Sequence, residues 1–129
     1  MSSSSEIHSK RAPKPVGLYP HARRAGGLLF LSGIGPRRPG TDEIPKTFEE
    51  QCKSVFENVR AVLEDAGARW EDLVDVTVFL TDIKRDFAAY NRLYAEYFAT
   101  ARPCRTTVEV GALPTPISIE LKCIAEIRT

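Results

Sequence analysis

Residues 47–67 read TFEEQCKSVFENVRAVLEDAG. Apolar side chains fall at Phe48, Cys52, Val55, Phe56, Val59, Val62, Leu63 and Ala66, and these steps make one stripe along an α-helix. Thr47 and Glu50 have the spacing of a capping box, in which each side chain satisfies a backbone N–H at the helix start. Gly67 supplies the C-terminal stop. A helix so well punctuated anchors the reading on both sides of it.

Downstream, residues 73–81, LVDVTVFLT, alternate as a strand, with Val74, Val76, Val78 and Leu80 on one face and Asp75, Thr77 and Phe79 on the other. A second helix is expected from about Asp86 to Ala99, with Phe87, Tyr90, Tyr94, Tyr97 and Phe98 as its apolar face. Pro103 bars its continuation. Residues 105–110, RTTVEV, are β-branched and read as a strand, and GALPTP is a turn. In 117–127, ISIELKCIAEI, the residues Ile117, Ile119, Leu121, Cys123, Ala125 and Ile127 point one way. Ser118, Glu120, Lys122, Ile124 and Glu126 point the other. Upstream, Tyr19–Ala25 reads as a short strand and LLFLS, 28–32, as a buried one. Residues 33–46 hold three glycines and three prolines and read as a long loop. The order β-β-α-β-α-β-β describes an α+β single domain, a mixed sheet whose two helices cover one face. Asp75, Thr77, Phe79 and Ile124 leave the other face partly apolar, so a symmetric oligomer that buries it is expected.

At 129 residues the chain suits one domain with a core. Its N-terminus, MSSSSEIHSKRAPKP, has no apolar region of a secretory signal and too little apolar surface to order itself. A disordered tail over 1–15 is expected, followed by the domain over 16–129. No apolar run approaches the roughly 20 residues that span a bilayer. Three cysteines without C-x-x-C spacing fit neither a disulfide framework nor a zinc site, and reduced thiols in a cytoplasmic protein are the simplest reading. Residues 1–40 carry seven Lys/Arg against one acid, and residues 41–129 carry eleven against sixteen. A basic segment in a near-neutral chain suggests a local anion site more than a nucleic-acid surface.

The loop SGIGPRRPG, 32–40, concentrates that charge. It lacks the Gly-Lys-Ser/Thr ending of a phosphate loop and the third glycine of the dinucleotide pattern. Arg105 opens a strand, and the planar fork of an arginine matches a carboxylate. Glu120 stands mid-strand, where partial desolvation would raise its pKa and suit it to proton transfer. The bland alternatives, a surface arginine and a solvated sheet face, stay open at this point. Cys104 has no assignable histidine base, since the two histidines are His8 and His21.

These stretches together, GLYPHA, LLFLSG, FENVRAVLEDAGARWEDLVDVTVFLTDI, FAAYNRLYAEYF, RPCRTTVEVGALP and ISIEL, resemble the Rid (YjgF) family of imine and enamine deaminases. The resemblance implies a chorismate-mutase-like fold assembled as a trimeric barrel, paired trimers being compatible, with sites between subunits. It implies Glu120 and Arg105 as catalytic residues, Arg105 binding the substrate carboxylate and Glu120 positioning or activating water. Tyr19, Ser32, Gly33 and Asn91 match family pocket residues, and Thr107 stands where many members have cysteine. S-G-I-G-P-R-R-P with Y-P-H-A-R-R-A-G upstream looks like the 2-aminomuconate deaminase branch. A substrate with a carboxylate at each end needs a second cation, for which this chain offers Arg37, Arg38 and His21. The implied reaction is hydrolytic deamination of 2-aminomuconate to 4-oxalocrotonate and ammonia in bacterial aromatic catabolism, with no metal or organic cofactor. The implied partners are a dicarboxylate and further copies of the chain, not a membrane or a nucleic acid. The alternatives are a general 2-imino acid deaminase and, in another class, an RNA-binding or ribonuclease-like protein.

Overall fold

A computed structural model describes residues 5–127. Among these residues six strands form one mixed sheet in the order β1-β2-β3-β6-β4-β5. They are β1 Glu6–Ile7, β2 Ala22–Ala25, β3 Leu28–Leu31, β4 Leu73–Leu80, β5 Cys104–Glu109 and β6 Ile119–Glu126. β4 and β5 pair in parallel, and every other pair is antiparallel. A parallel pair needs a crossover, and helix α2, Ile83–Tyr97, provides it.

Helix α1, Phe48–Asp65, starts as its sequence predicts: Thr47 Oγ1 accepts from the Glu50 backbone N–H at 3.1 Å and the Glu50 carboxylate accepts from the Thr47 N–H. Its stripe, with Cys52, Val55, Phe56, Val59, Val62 and Leu63 all buried, lies on the face of β6 that carries Ile119, Leu121, Cys123 and Ala125. Both helices cover that one face, and the opposite face stays open, as the element order implies.

Four expectations need correction. Residues 5–15 of the expected disordered tail are packed: β1 pairs with β2, Ile7 and Ala12 are buried, and Ser9 Oγ donates to Asp65 Oδ2 at 2.6 Å. Polar partners on β2 and α1 hold a segment whose own composition could not; residues 1–4 of that tail lie outside the described residues. Val74 is exposed rather than buried, because the β4–β6 register shifts between Leu73 and Asp75 and puts Leu73 inside in its place. Helix α2 spans Ile83–Tyr97 rather than Asp86–Ala99, since Asp82 caps it by accepting from the Arg85 N–H at 3.1 Å. On α2, Leu93 is buried and Phe87 is at the surface. Trp70, in a single 3-10 turn over Trp70–Asp72, is a packing residue whose indole N–H donates to the Tyr97 carbonyl at 2.7 Å.

Candidate active site

Two clusters gather most of the polar residues singled out above. The first lies on the open face of the sheet. Ile34 and Leu121 exchange backbone hydrogen bonds of 2.8 and 2.9 Å, and this bridge lays Gly33 alongside Glu120. A Cβ at position 33 would stand 2.3 Å from Glu120 Oε2 and 3.0 Å from its Cδ, so only glycine admits the carboxyl there. Among the described residues none donates a hydrogen bond to that carboxylate. Partial burial pushes Glu120 above the ordinary carboxylate range, because a low-dielectric site disfavours the ionised form. Val16, Tyr19, Arg37, Thr115 and Ile117 line the same depression. Ser32 adjoins it, with its hydroxyl donating to the Pro20 carbonyl at 2.7 Å.

The second cluster lies at the edge strand. Arg105 is in register with Val76, which is fully buried, so both face the helix layer. The guanidinium stands 4.7 Å from the Tyr94 ring centroid, 5.6 Å from Tyr90 and 5.8 Å from Phe87, and Nη1 donates to Asn91 Oδ1 at 2.8 Å. Phe87, Asn91 and Tyr94 are spaced i, i+4, i+7 and so share one face of α2. Thr107 lies two residues along β5 on the same face, and its Oγ1 and the Tyr94 hydroxyl are buried without a partner among the described residues. Burial also pushes the Tyr94 phenol up, which keeps it protonated.

The clusters point to opposite faces. Val76 lies opposite both Arg105 and Cys123, whereas Glu120 lies opposite Phe79, and positions of opposite parity on paired strands face opposite ways. Glu120 and Arg105 therefore do not meet within one chain.

The three extra cations separate. Arg37 lines the Glu120 depression; Nη1 donates to Asp42 Oδ1 at 2.7 Å and Nη2 to the Lys14 carbonyl at 2.6 Å. Arg38 turns away, with Nε 3.5 Å from Glu43 Oε1, and borders a groove along α1 with Lys53 and Asn58. His21 is buried and fully engaged: Nδ1 accepts from the Ser9 N–H at 2.9 Å and Nε2 donates to the Pro13 carbonyl at 2.7 Å. It anchors the N-terminal segment and offers no free donor to a ligand. Cys52 and Cys123 are buried, which pushes both thiols up to about 12, and Cys104 is exposed. No three His, Cys, Asp or Glu side chains gather as a metal-binding group among the described residues.

Sequence reasoning missed the aromatic cage of Arg105, although the spacing of Phe87, Asn91 and Tyr94 was its signal. It also missed Asp42, the Lys14 carbonyl and Thr115, for which the sequence carried none.

A mixed sheet covered on one side by two helices, with one polar cluster on each face, defines a small α+β protein. The chain belongs to the Endoribonuclease L-PSP family, whose model matches residues 9–127. It is similar to a RutC family protein of Pyrococcus abyssi, 46% identical over 120 residues that cover 92% of this chain and 94% of that one. It is also similar to Reactive Intermediate Deaminase A, chloroplastic, of Arabidopsis thaliana, 36% identical over 120 residues, 92% of this chain and 64% of the relative. Among solved structures, a Rid family protein of unknown function from Yersinia pestis superimposes with a TM-score of 0.90 at 37% identity, covering 97% of this chain and all 100% of that one. The single-domain fold, a mixed sheet with two helices, and the family expected from the sequence are thus shown.

Proposed function

We propose that the protein is a hydrolytic deaminase of enamine and 2-imino acids, with 2-aminomuconate as its substrate. It works as an oligomer, a trimer in the arrangement the resemblance implies, in which the Arg105 cluster of one copy meets the Glu120 cluster of the next. The observation that carries the reading is Glu120: a carboxyl to which no described residue donates, lifted by burial and held against a glycine, suits removal of a proton from water. The name of the Arabidopsis relative, Reactive Intermediate Deaminase A, supports deaminase chemistry.

In this scheme Arg105 holds the carboxylate beside the C–N carbon. The enamine tautomerises to an imine, and Glu120 accepts a water proton as the oxygen bonds to the imine carbon. The proton passes to nitrogen to give an amino alcohol, and the remaining hydroxyl proton is transferred to the same nitrogen as the C–N bond breaks, so that a 2-oxo acid and ammonia result. Of the extra cations, Arg37 alone borders Glu120 and is the one available to a second carboxylate. The family's description includes a ribonuclease, but Arg11 pairs with Glu64 and Asp65, Arg37 with Asp42 and Arg38 with Glu43, which breaks up a cationic strip.

The test is to mix purified protein with freshly generated 2-aminomuconate and follow absorbance loss and ammonia. No acceleration over the spontaneous rate overturns the substrate assignment. Acceleration with 2-iminobutanoate alone moves the protein to the general 2-imino acid deaminases, and salt-sensitive RNA binding that survives Arg105→Ala moves it to nucleic acid.

A further inference from the structure

The turn after Arg37 presents an acid to it from outside. The Asp42 N–H donates to the Arg38 carbonyl at 3.1 Å and the Arg38 N–H donates to the Glu43 carbonyl at 2.8 Å, so the loop doubles back on itself. Asp42 adopts a φ of 60°, a left-handed conformation in which Asp and Asn are the best tolerated residues after glycine. Its side chain is 69% exposed, while that of Arg37 is 16% exposed. Arg37 thus has one neutral acceptor, the Lys14 carbonyl, and one exposed charged one, Asp42. A guanidinium has five N–H donors, and these two contacts leave Nε–H and the second hydrogens of both terminal nitrogens uncommitted.

We infer that Asp42 is a stand-in for the second carboxylate of the ligand and, by competing for Arg37, limits the preference of the site for dicarboxylic over monocarboxylic acids. This rests on the proposed function for the identity of the site. With nothing bound, Asp42 neutralises an arginine that would otherwise sit half-buried and unpaired. A ligand carboxylate entering beside Glu120 takes the Arg37 fork, and Asp42 swings into water, which an exposed acid does at small cost. A ligand with one carboxylate, held at Arg105, leaves the Arg37–Asp42 pair closed. The acid therefore competes with dicarboxylates alone.

Two readouts test this. Calorimetry with 2-oxoglutarate and 2-oxobutanoate, which resemble the products of dicarboxylic and monocarboxylic imines, measures binding without turnover. Hydrolysis of the corresponding imines, generated in the cuvette by an amino-acid oxidase, measures KM and kcat. Asp42→Asn, a residue suited to the same backbone conformation, should tighten 2-oxoglutarate and lower the dicarboxylic KM about three- to fivefold, the worth of an exposed ion pair. It should leave 2-oxobutanoate binding and kcat unchanged. Glu43→Gln removes the same charge from the partner of Arg38 and should change neither ligand. Arg37→Ala should abolish the preference for the dicarboxylate. An Asp42→Asn protein with an unaltered ratio of the two affinities overturns the role of Asp42, and an Arg37→Ala protein with an unaltered ratio overturns the second carboxylate site. Binding with the expected ratios but no imine hydrolysis leaves this inference standing and overturns the deaminase reading instead.

Discussion

The closest approach in the site, Gly33 against Glu120, yields the sharpest prediction. In Gly33→Ala the new Cβ would start 2.3 Å from Glu120 Oε2, whereas ordinary contact begins at 3.4 Å. The backbone at 33 is fixed by the Ile34–Leu121 bridge, so the carboxyl must move by about 1 Å. That carboxyl is the far end of a flexible, half-buried side chain with open space beside it, so stability should fall by no more than about 1 kcal/mol, at the low end for overpacking. The chemistry is less forgiving. A displacement of about 1 Å in a group that must align with water and an imine carbon lowers the rate on the order of a hundredfold. Thermal unfolding and single-turnover hydrolysis of 2-iminobutanoate separate the two effects. A Gly33→Ala protein of near-normal stability and undiminished kcat would refute the argument that Glu120, as positioned by Gly33, activates the water.

Other substitutions probe the frame, the cage and the carboxyl. Thr47→Ala removes the cap of α1 and should cost about 1 kcal/mol in urea unfolding without altering turnover, since neither Thr47 nor Glu50 lines the Glu120 depression or contacts Arg105. Tyr94→Phe keeps the ring against Arg105 and should bind a 2-oxo acid normally, whereas Tyr94→Leu should weaken it about tenfold by calorimetry, the loss of a partly desolvated cation–π contact. Glu120 has a raised pKa in the folded chain, so its contribution to stability is present at low pH and lost as pH rises through the folded value. Glu120→Gln should therefore be more stable than the parent at pH 7, with the gap closing below about pH 4.5, in denaturant melts across pH. A gap that widens toward acid would reverse the sign and remove the desolvation argument.

The elements that read correctly from sequence are those with a strong local signal. Helix α1 had both a stripe and a reciprocal cap, and β6 alternates over its whole length, so Glu120 was legible as facing away from the helices. The errors occurred where a distant partner decides. Nothing local in residues 5–15 reveals that His21 will accept from Ser9 or that Asp65 will take its hydroxyl. The bulge that exposes Val74 depends on pairing with Ile124 and Ala125, fifty residues away along the chain. Arg37 and Arg38 are adjacent in sequence and equal in type, yet loop geometry sends one toward Glu120 and the other toward Glu43. Only the backbone path of 38–43 distinguishes them, and composition carries no trace of it.

The parity of the sheet leads to a final prediction. Leu121 and Ile119 must face the helices to fill the core, which commits Glu120 to the other side. The register of β5 on β4 commits Arg105 to the helix side. In this register the two side chains lie on opposite faces of the sheet, so they do not come together within one chain. Under the proposed assembly each site takes Arg105 from one copy and Glu120 from another. Arg105→Ala and Glu120→Gln should each be inactive alone. When the two are unfolded together and refolded as an equal mixture, about one site in four joins an intact Arg105 to an intact Glu120, whatever the ring size, because the two halves are drawn independently across a heterologous interface. About a quarter of the parent activity should therefore return, measured as ammonia released per copy. A site built within a single chain returns none, and a refolded mixture without activity, from variants that refold separately to native oligomers, would rule out the shared site.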